Sequence, residues 1–75
     1  MNLYEYTIDV SKLGRGDAWE IADALLQYDP DELSFDFINE DILFNVHCDQ
    51  LDKIAIEEFL GGYADLKFDC EGYGD

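Results

Sequence analysis

The sequence predicts an α+β sandwich in which two helices pack on one face of a four-stranded antiparallel sheet. The hydrophobic periodicity changes along the chain in the order β-α-β-β-α-β. Each strand has one apolar face and each helix one apolar stripe, so the six elements can cover one another. The length of 75 residues allows a single domain, residues 1–75. This order is that of the split βαβ, or ferredoxin-like, sandwich, whose usual spatial strand order is 4-1-3-2.

The first strand and the first helix are separated by a loop with two glycines. Residues 3–10 alternate between apolar and polar side chains, which predicts a half-buried strand. Its core-facing side chains would be Tyr4, Tyr6, Ile8 and Val10. Asp17 is a good N-cap and Glu20 completes a capping-box-like pair, so we expect the helix to begin there. It should end at Asp29, because the residue before Pro30 is disfavoured in the helical region.

The second and third strands form a predicted hairpin. Alternation over residues 33–38 and again over residues 42–48 indicates two strands, with Asn39-Glu40-Asp41 as the tight turn between them. The side chains expected to face the core are Leu33, Phe35, Phe37, Ile42, Phe44, Val46 and Cys48.

The second helix is expected to begin after Asp49, which is the predicted N-cap, and to end at Gly61-Gly62. Asp52 lies in the first turn, where an acidic side chain suits the helix dipole. The predicted apolar arc contains Leu51, Ala55, Ile56, Phe59, Leu60 and Tyr63. The side chains expected on the exterior are Lys53, Glu57 and Glu58.

The fourth strand is predicted from the alternation around Leu66, Phe68 and Cys70, and residues 72–75 are expected to form a flexible tail. Cys48 and Cys70 would both point inward, but from strands that flank the first strand. Two strand spacings separate them by about 9.6 Å. Because a disulfide needs a shorter separation, we expect two free thiols.

The charge is strongly negative, with 19 acidic residues against four basic ones and a net charge of −15. Direct binding to nucleic acid or to an anionic membrane is therefore not expected, since both require a basic surface. A hydrophobic content of 48% argues against a disordered acidic chain. The first residues lack the pattern of a signal peptide, and no apolar run is long enough to span a membrane, which favours a cytoplasmic location.

The predicted fold gathers the acids in two places. The acidic pole is the end of the sheet whose loops have no Lys or Arg, and its acids are Asp29, Asp31, Glu32, Asp49, Asp52 and Glu71. The open face is the side of the sheet without helices, and its predicted acids are Glu5, Asp9, Asp36, Asp69 and Glu71. We expect these two groups to contact a partner. The apolar anchors beside them would be Leu3, Ile38, Leu43 and Tyr73.

Motifs for catalysis and metal binding are incomplete. The acids from Asp29 to Glu40 have the spacing of a calcium loop, but Leu33 stands where an oxygen ligand is needed. His47 has no nucleophile beside it, because Cys48 points to the opposite face. We therefore expect no catalytic residues, no metal site and no cofactor.

The acids admit two interpretations. Alternate acids on a strand are about 6.6 Å apart, and duplex DNA carries one negative charge per roughly 1.7 Å of its axis. A surface of such carboxylates could imitate DNA phosphates and compete for a basic groove. Alternatively, the acids only keep the protein soluble or adapt it to high salt.

In size, charge and absence of a signal peptide, the whole chain resembles the small phage-encoded inhibitors that mimic nucleic acid. These include anti-restriction proteins, uracil-glycosylase inhibitors and several anti-CRISPR proteins. The resemblance rests on no motif, so no functional residue is carried over. It implies a non-enzymatic inhibitor in the host cytoplasm that blocks the nucleic-acid-binding surface of a CRISPR effector, a restriction enzyme or a nuclease.

Two other functions stay open at this stage. The chain could be an immunity protein or antitoxin that covers a basic nuclease toxin, since the same charges would serve there. It could also be a small acidic protein-interaction module. In each case self-repulsion at this charge opposes dimer formation, so we expect a monomer.

Overall fold

The computed structural model describes residues 2–73. The elements are β1 (Asn2–Asp9), α1 (Arg15–Leu25), a 3₁₀ turn (Leu26–Tyr28), β2 (Glu32–Asp36), β3 (Asp41–Cys48), α2 (Gln50–Gly61) and β4 (Lys67–Tyr73). The predicted α+β fold, with a four-stranded antiparallel sheet and two helices, is confirmed. Neither helix in this part of the chain is long and apolar enough to cross a membrane.

The four strands form one sheet in the order β2-β3-β1-β4, and each neighbouring pair is antiparallel. Tyr6, near the middle of β1, lies opposite Phe44 on β3 and Cys70 on β4. Because side chains alternate along a strand, these three residues share the inner face of the sheet. Cys48 is buried and Cys70 half-buried, and both are free thiols, as the separation of their strands predicted.

A single hydrophobic core lies between the inner face of the sheet and the two helices. α1 contributes Ala18, Ile21, Ala22 and Leu25, and α2 contributes Ile56 and Leu60. The largest fully buried side chains are Tyr6, Ile8, Ile21, Leu25, Ile42, Phe44, Val46, Ile56 and Leu60. No buried side-chain nitrogen or oxygen among the described residues lacks a hydrogen-bond partner, so burying the tyrosines adds no unpaired polar group.

The start of α1 differs from the prediction. The helix begins at Arg15 with Gly14 as its N-cap, and no side chain accepts a hydrogen bond from the first turn. Asp17 lies in that first turn, where its charge still suits the helix dipole, but it is not the cap. The helix ends through the 3₁₀ turn at Asp29, whose backbone is left-handed with φ 51°. The end before Pro30 was therefore predicted correctly.

The start of α2 is as predicted, but its buried face is not. The Asp49 carboxylate accepts a hydrogen bond from the Asp52 N–H at 2.8 Å, which confirms Asp49 as the N-cap. Leu51, expected in the apolar arc, is 76% exposed. Lys53 and Glu57, expected on the exterior, are half-buried and form an ion pair. The helix is thus rotated so that this pair faces the sheet.

The reason for the rotation lies in the two inward tyrosines of β1. The Tyr6 hydroxyl donates to Glu57 Oε2 at 3.0 Å, and Lys53 Nζ lies 5.5 Å from the centroid of the Tyr4 ring. The side chains of Tyr4 and Tyr6 are buried, but their hydroxyls need polar partners. α2 supplies both partners: Glu57 accepts from the Tyr6 hydroxyl, and Gln50 Oε1 at the start of the helix accepts from the Tyr4 hydroxyl at 3.5 Å.

The hairpin and the last strand also differ in their bounds. The turn between β2 and β3 covers residues 37–40, so Phe37 lies outside β2 and is 77% exposed instead of facing the core. Ile38, expected as an open-face anchor, lies in the same turn. β4 continues through Tyr73, so residues 72 and 73 are in a strand and not in a tail. Residues 74 and 75 of the predicted tail lie outside the described part of the chain.

Candidate binding surface on the open face of the sheet

Within the described part of the chain, the outer face of the sheet carries no helix. The composition of this face follows from the strand registers. Side chains that alternate with the buried ones point outward from each strand. Seven of them are carboxylates: Glu5, Asp9, Glu32, Asp36, Asp41, Asp69 and Glu71. Among residues 2–73, Lys67, at the edge on β4, is the only Lys or Arg on this face. The open face is therefore the most acidic continuous surface that the sheet presents.

A row of glutamates crosses the sheet in the middle of this face. Glu5 on β1 lies directly opposite Glu71 on β4 and Asn45 on β3, and Asn45 lies opposite Glu32 on β2. Four neighbouring strands at about 4.8 Å each give the row a width of about 14 Å. The face forms a shallow depression beside this row. We call these three acids, Glu5, Glu32 and Glu71, the glutamate row.

Two polar groups hold the ends of the glutamate row. The Tyr73 hydroxyl donates to Glu71 Oε2 at 2.8 Å, and Asn45 Nδ2 donates to Glu32 Oε2 at 3.4 Å. The hydrogen bond to Glu71, with a further contribution from Glu5, raises the pKa of Tyr73 to about 12. Tyr73 is therefore a neutral donor at physiological pH. These bonds orient the carboxylates without neutralising them.

A second row of acids lies about 13 Å further along the strands. Asp41 on β3 is directly opposite both Asp36 on β2 and Asp9 on β1, and Asp9 faces Lys67 on β4. Asp36 accepts hydrogen bonds from the Ile38 and Asn39 backbone N–H groups. We call Asp9, Asp36 and Asp41 the aspartate row.

The pKa values within the aspartate row diverge because of these contacts. Hydrogen bonds from Asn39 and Ile38 lower the pKa of Asp36, and hydrogen bonds from Ser11 lower that of Asp9. Burial, followed by repulsion from Asp9 and Asp36, raises the pKa of Asp41. The charged forms of the two outer carboxylates, Asp9 and Asp36, are thus stabilised, whereas the charged form of Asp41 between them is destabilised.

The structure brings together six of the ten predicted contact residues on the open face. These are Glu5, Asp9, Glu32, Asp36, Asp69 and Glu71. The sequence pattern places Glu32 at the acidic pole, but Glu32 begins β2 and its side chain belongs to the glutamate row. The pattern places Asp41 in the turn, whereas Asp41 begins β3. Extending the alternation of the third strand back by one residue would have placed it on this face.

The other four predicted residues, Asp29, Asp31, Asp49 and Asp52, remain at the acidic pole, and the last three have local roles. Asp49 caps α2, and Asp52 lies in the first turn of that helix. Asp31 accepts from His47 Nδ1, so the exposed histidine is paired with this carboxylate. The helix dipole partly compensates the charges of Asp49 and Asp52. The open face is consequently the stronger candidate for a partner-binding surface.

Of the four predicted apolar anchors, three lie on the open face and one does not. Leu3, Leu43 and Tyr73 lie on the open face as predicted, with Leu3 directly opposite Tyr73. Ile38 is 93% exposed but projects from the turn. Among residues 2–73, no group of three or more His, Cys, Asp or Glu side chains is placed to hold a metal ion. The chemistry that the face offers is ionic and hydrogen-bonding contact, with a small apolar component.

Comparison of the chain with protein-family models, with curated proteins and with solved structures finds no match in any of the three.

Proposed function

We propose that this protein is a non-enzymatic inhibitor that occupies the DNA-binding surface of a host defence complex, with the open face of its sheet as the DNA-like surface. One observation carries the proposal: carboxylates on neighbouring strands lie side by side in two rows, the glutamate row and the aspartate row, that both cross the sheet. Carboxylates at strand spacing present negative charge in a regular two-dimensional array. A basic groove that binds phosphates would attract such an array and be blocked by it.

We also propose that the fold is a ferredoxin-like sandwich. Read from β4, the strand order is β4-β1-β3-β2, which supports a ferredoxin-like sandwich with both helices on the inner face. Such a fold leaves one sheet face free for a partner. We further propose that the inhibitor acts as a monomer in the host cytoplasm, because an acidic face repels a second copy of itself.

Capture from a bacterial lysate, followed by displacement with DNA, tests this proposal. The immobilised protein should retain a nucleic-acid-binding complex, and a short DNA duplex should release it, because both compete for one groove. Mass spectrometry identifies what is released. A CRISPR effector or restriction complex supports the proposal. A lone toxin nuclease would replace it with an immunity function, and retained proteins that DNA does not displace would contradict it.

A pair of charge-matched triple variants locates the contact. Glu5→Gln, Glu32→Gln and Glu71→Gln together neutralise the glutamate row, and the complex should no longer be retained. The control variant combines Glu20→Gln, Asp23→Asn and Glu58→Gln, which removes the same charge from exposed positions on the two helices. It should retain the complex as the unmodified protein does. Equal loss in both variants would mean that total charge, and not the open face, determines binding.

A further inference from the structure

The edge of the sheet at β2 offers a second surface, which shares only Glu32 and Asp36 with the two acidic rows of the open face. β2 pairs only with β3, so alternate backbone N–H and C=O groups of residues 32–36 are directed away from the sheet. The strand is short, but no Lys or Pro blocks it. Such an edge can accept an additional strand.

The helix side of this edge is apolar and aromatic. Trp19 of α1 is 61% exposed and packs on Phe35 of β2, with ring centroids 5.4 Å apart. Phe35 in turn stacks on Phe37 at 5.5 Å. A groove runs between α1 and β2. Its lining is mostly apolar (Trp19, Ala22, Leu26, Leu33, Phe35 and Phe37), and Asp23 and Ser34 are its polar residues. Exposed aromatic side chains beside a groove are the usual anchors of a protein interface.

The opposite side of the same edge is acidic. Glu32 and Asp36 point from β2 to the open face, with Ser34 between them. An added strand would alternate its side chains between these two sides. One set would enter the aromatic groove, and the other would lie next to the carboxylates.

The apolar groove on one side of β2 and the carboxylates on the other determine which kind of strand can pair with this edge. A second copy of the chain, paired antiparallel through β2 about Ser34, would place Glu32 opposite Asp36 of the other copy at both ends. Like charges directly opposite one another destabilise a strand pair. A strand that alternates apolar and basic residues meets complementary groups on both sides. We propose that the β2 edge binds an extended segment of a partner protein in which apolar and basic residues alternate.

This inference does not depend on DNA mimicry, and its test uses a peptide instead of a nucleic-acid-binding complex. The probe is the capped peptide Lys-Val-Lys-Ile-Lys-Val-Lys. The matched control, Val-Val-Ile-Lys-Lys-Lys-Lys, has the same composition but no alternation. Trp19 is the only tryptophan of the chain, so its fluorescence reports on the groove. The alternating peptide should change that fluorescence saturably and slow hydrogen exchange at alternate amides of residues 32–36.

Two variants make the test specific. Phe37→Ser removes an exposed anchor from the turn and should weaken binding of the alternating peptide about tenfold or more. Leu51→Ser removes an equally exposed apolar side chain from α2 and should leave binding unchanged. If Phe37→Ser does not fold, Leu26→Ser at the other side of the groove takes its place. Equal binding of the two peptides, unprotected β2 amides, or unchanged binding in the groove variant would overturn the proposal.

Discussion

Asp41 has the least favourable surroundings of the carboxylates on the open face. It lies directly opposite both Asp9 and Asp36, and these two are held in their charged forms by other hydrogen bonds. The raised pKa of Asp41 means that the folded protein binds a proton there more tightly than the unfolded chain does. The associated stability is complete below the ordinary value of 3.8 and is lost as the pH rises through the folded pKa.

Asp41→Asn should therefore stabilise the protein at neutral pH. The neutral amide removes two cross-strand repulsions, each worth roughly 0.2–1 kcal/mol. The free energy of unfolding, measured in urea at pH 7, should rise by the sum of the two, roughly 0.4–2 kcal/mol. The gain should shrink toward zero as the pH falls below 3.8, where Asp41 of the unmodified protein is protonated.

Asp36→Ala is the informative contrast, because it removes charge from the same row but also removes the acceptor for three donors of the turn. The loss of these hydrogen bonds opposes the relief of repulsion, so this variant should lose stability or gain none. If both variants were equally stabilised, repulsion alone would govern the row and the turn bonds would contribute nothing.

The contacts of Tyr6 mark the limit of prediction at the residue scale. Periodicity placed this side chain in the core correctly, and it is 1% exposed. Periodicity does not register the hydroxyl at its end, which burial and the neighbouring Cys70 and Glu57 side chains keep protonated by raising its pKa. The partner, Glu57, lies 51 residues away in the sequence. The sequence gives one indication of such a partner: tyrosines stand at core positions of β1 where aliphatic residues would suffice, and a buried hydroxyl needs a polar partner.

At the scale of elements, the two helices begin differently although each has an acid near its start. The Asp49 side chain bonds to the third N–H after it, while Asp17 lies within the first turn and caps nothing. Asp49→Ala should lower the free energy of unfolding by about 1 kcal/mol. Asp17→Ala should change it by only a few tenths of a kcal/mol, the value of a charge near the dipole. Urea denaturation of the two variants measures both.

The opposite ranking, with Asp17→Ala the more damaging, would show that the helix begins at Asp17 in solution, as the capping-box pattern predicted. That pattern failed because it considers only four consecutive residues. Gly14 in extended conformation is the N-cap, so the chain enters the helix three residues earlier than an N-cap at Asp17 would allow. Local patterns located both helices, but only one of the two N-caps.

The open face could be predicted only in part, because local patterns show which side of a strand a residue lies on but not which residues are its neighbours across the sheet. Alternation assigned Glu5, Asp9, Asp36, Asp69 and Glu71 to the open face without knowledge of the register. The alignment of Glu5 with Glu71 and Asn45 needed the strand pairing, which single-strand periodicity does not contain. Glu32 and Asp41 lie at strand ends, where boundaries are least certain from sequence. Their assignment to loops concealed how continuous the acidic face is.

At the scale of the whole molecule, the net charge of −15 opposes folding through self-repulsion. The cations do little to relieve the open face: Lys53 pairs with Glu57 on the other side of the sheet, and Lys67 lies at the edge beside Asp9. Acids that served only solubility could be dispersed over the surface, where each would cost little. Their alignment in rows concentrates the repulsion on one face.

Salt therefore provides a measure of that concentration. The Debye length falls from about 10 Å at 0.1 M salt to about 3 Å at 1 M, so added NaCl should raise the thermal unfolding midpoint. Neutralising the glutamate row should reduce this salt dependence more than neutralising Glu20, Asp23 and Glu58 does, although the net charge is equal. Circular dichroism melts of the two triple variants across NaCl concentrations test this. Identical salt dependence would mean that the rows carry no special repulsion, and it would favour acidity as a solubility device. A larger loss of salt dependence on neutralising the glutamate row would show that carboxylate repulsion destabilises the fold most on the face proposed to bind the partner.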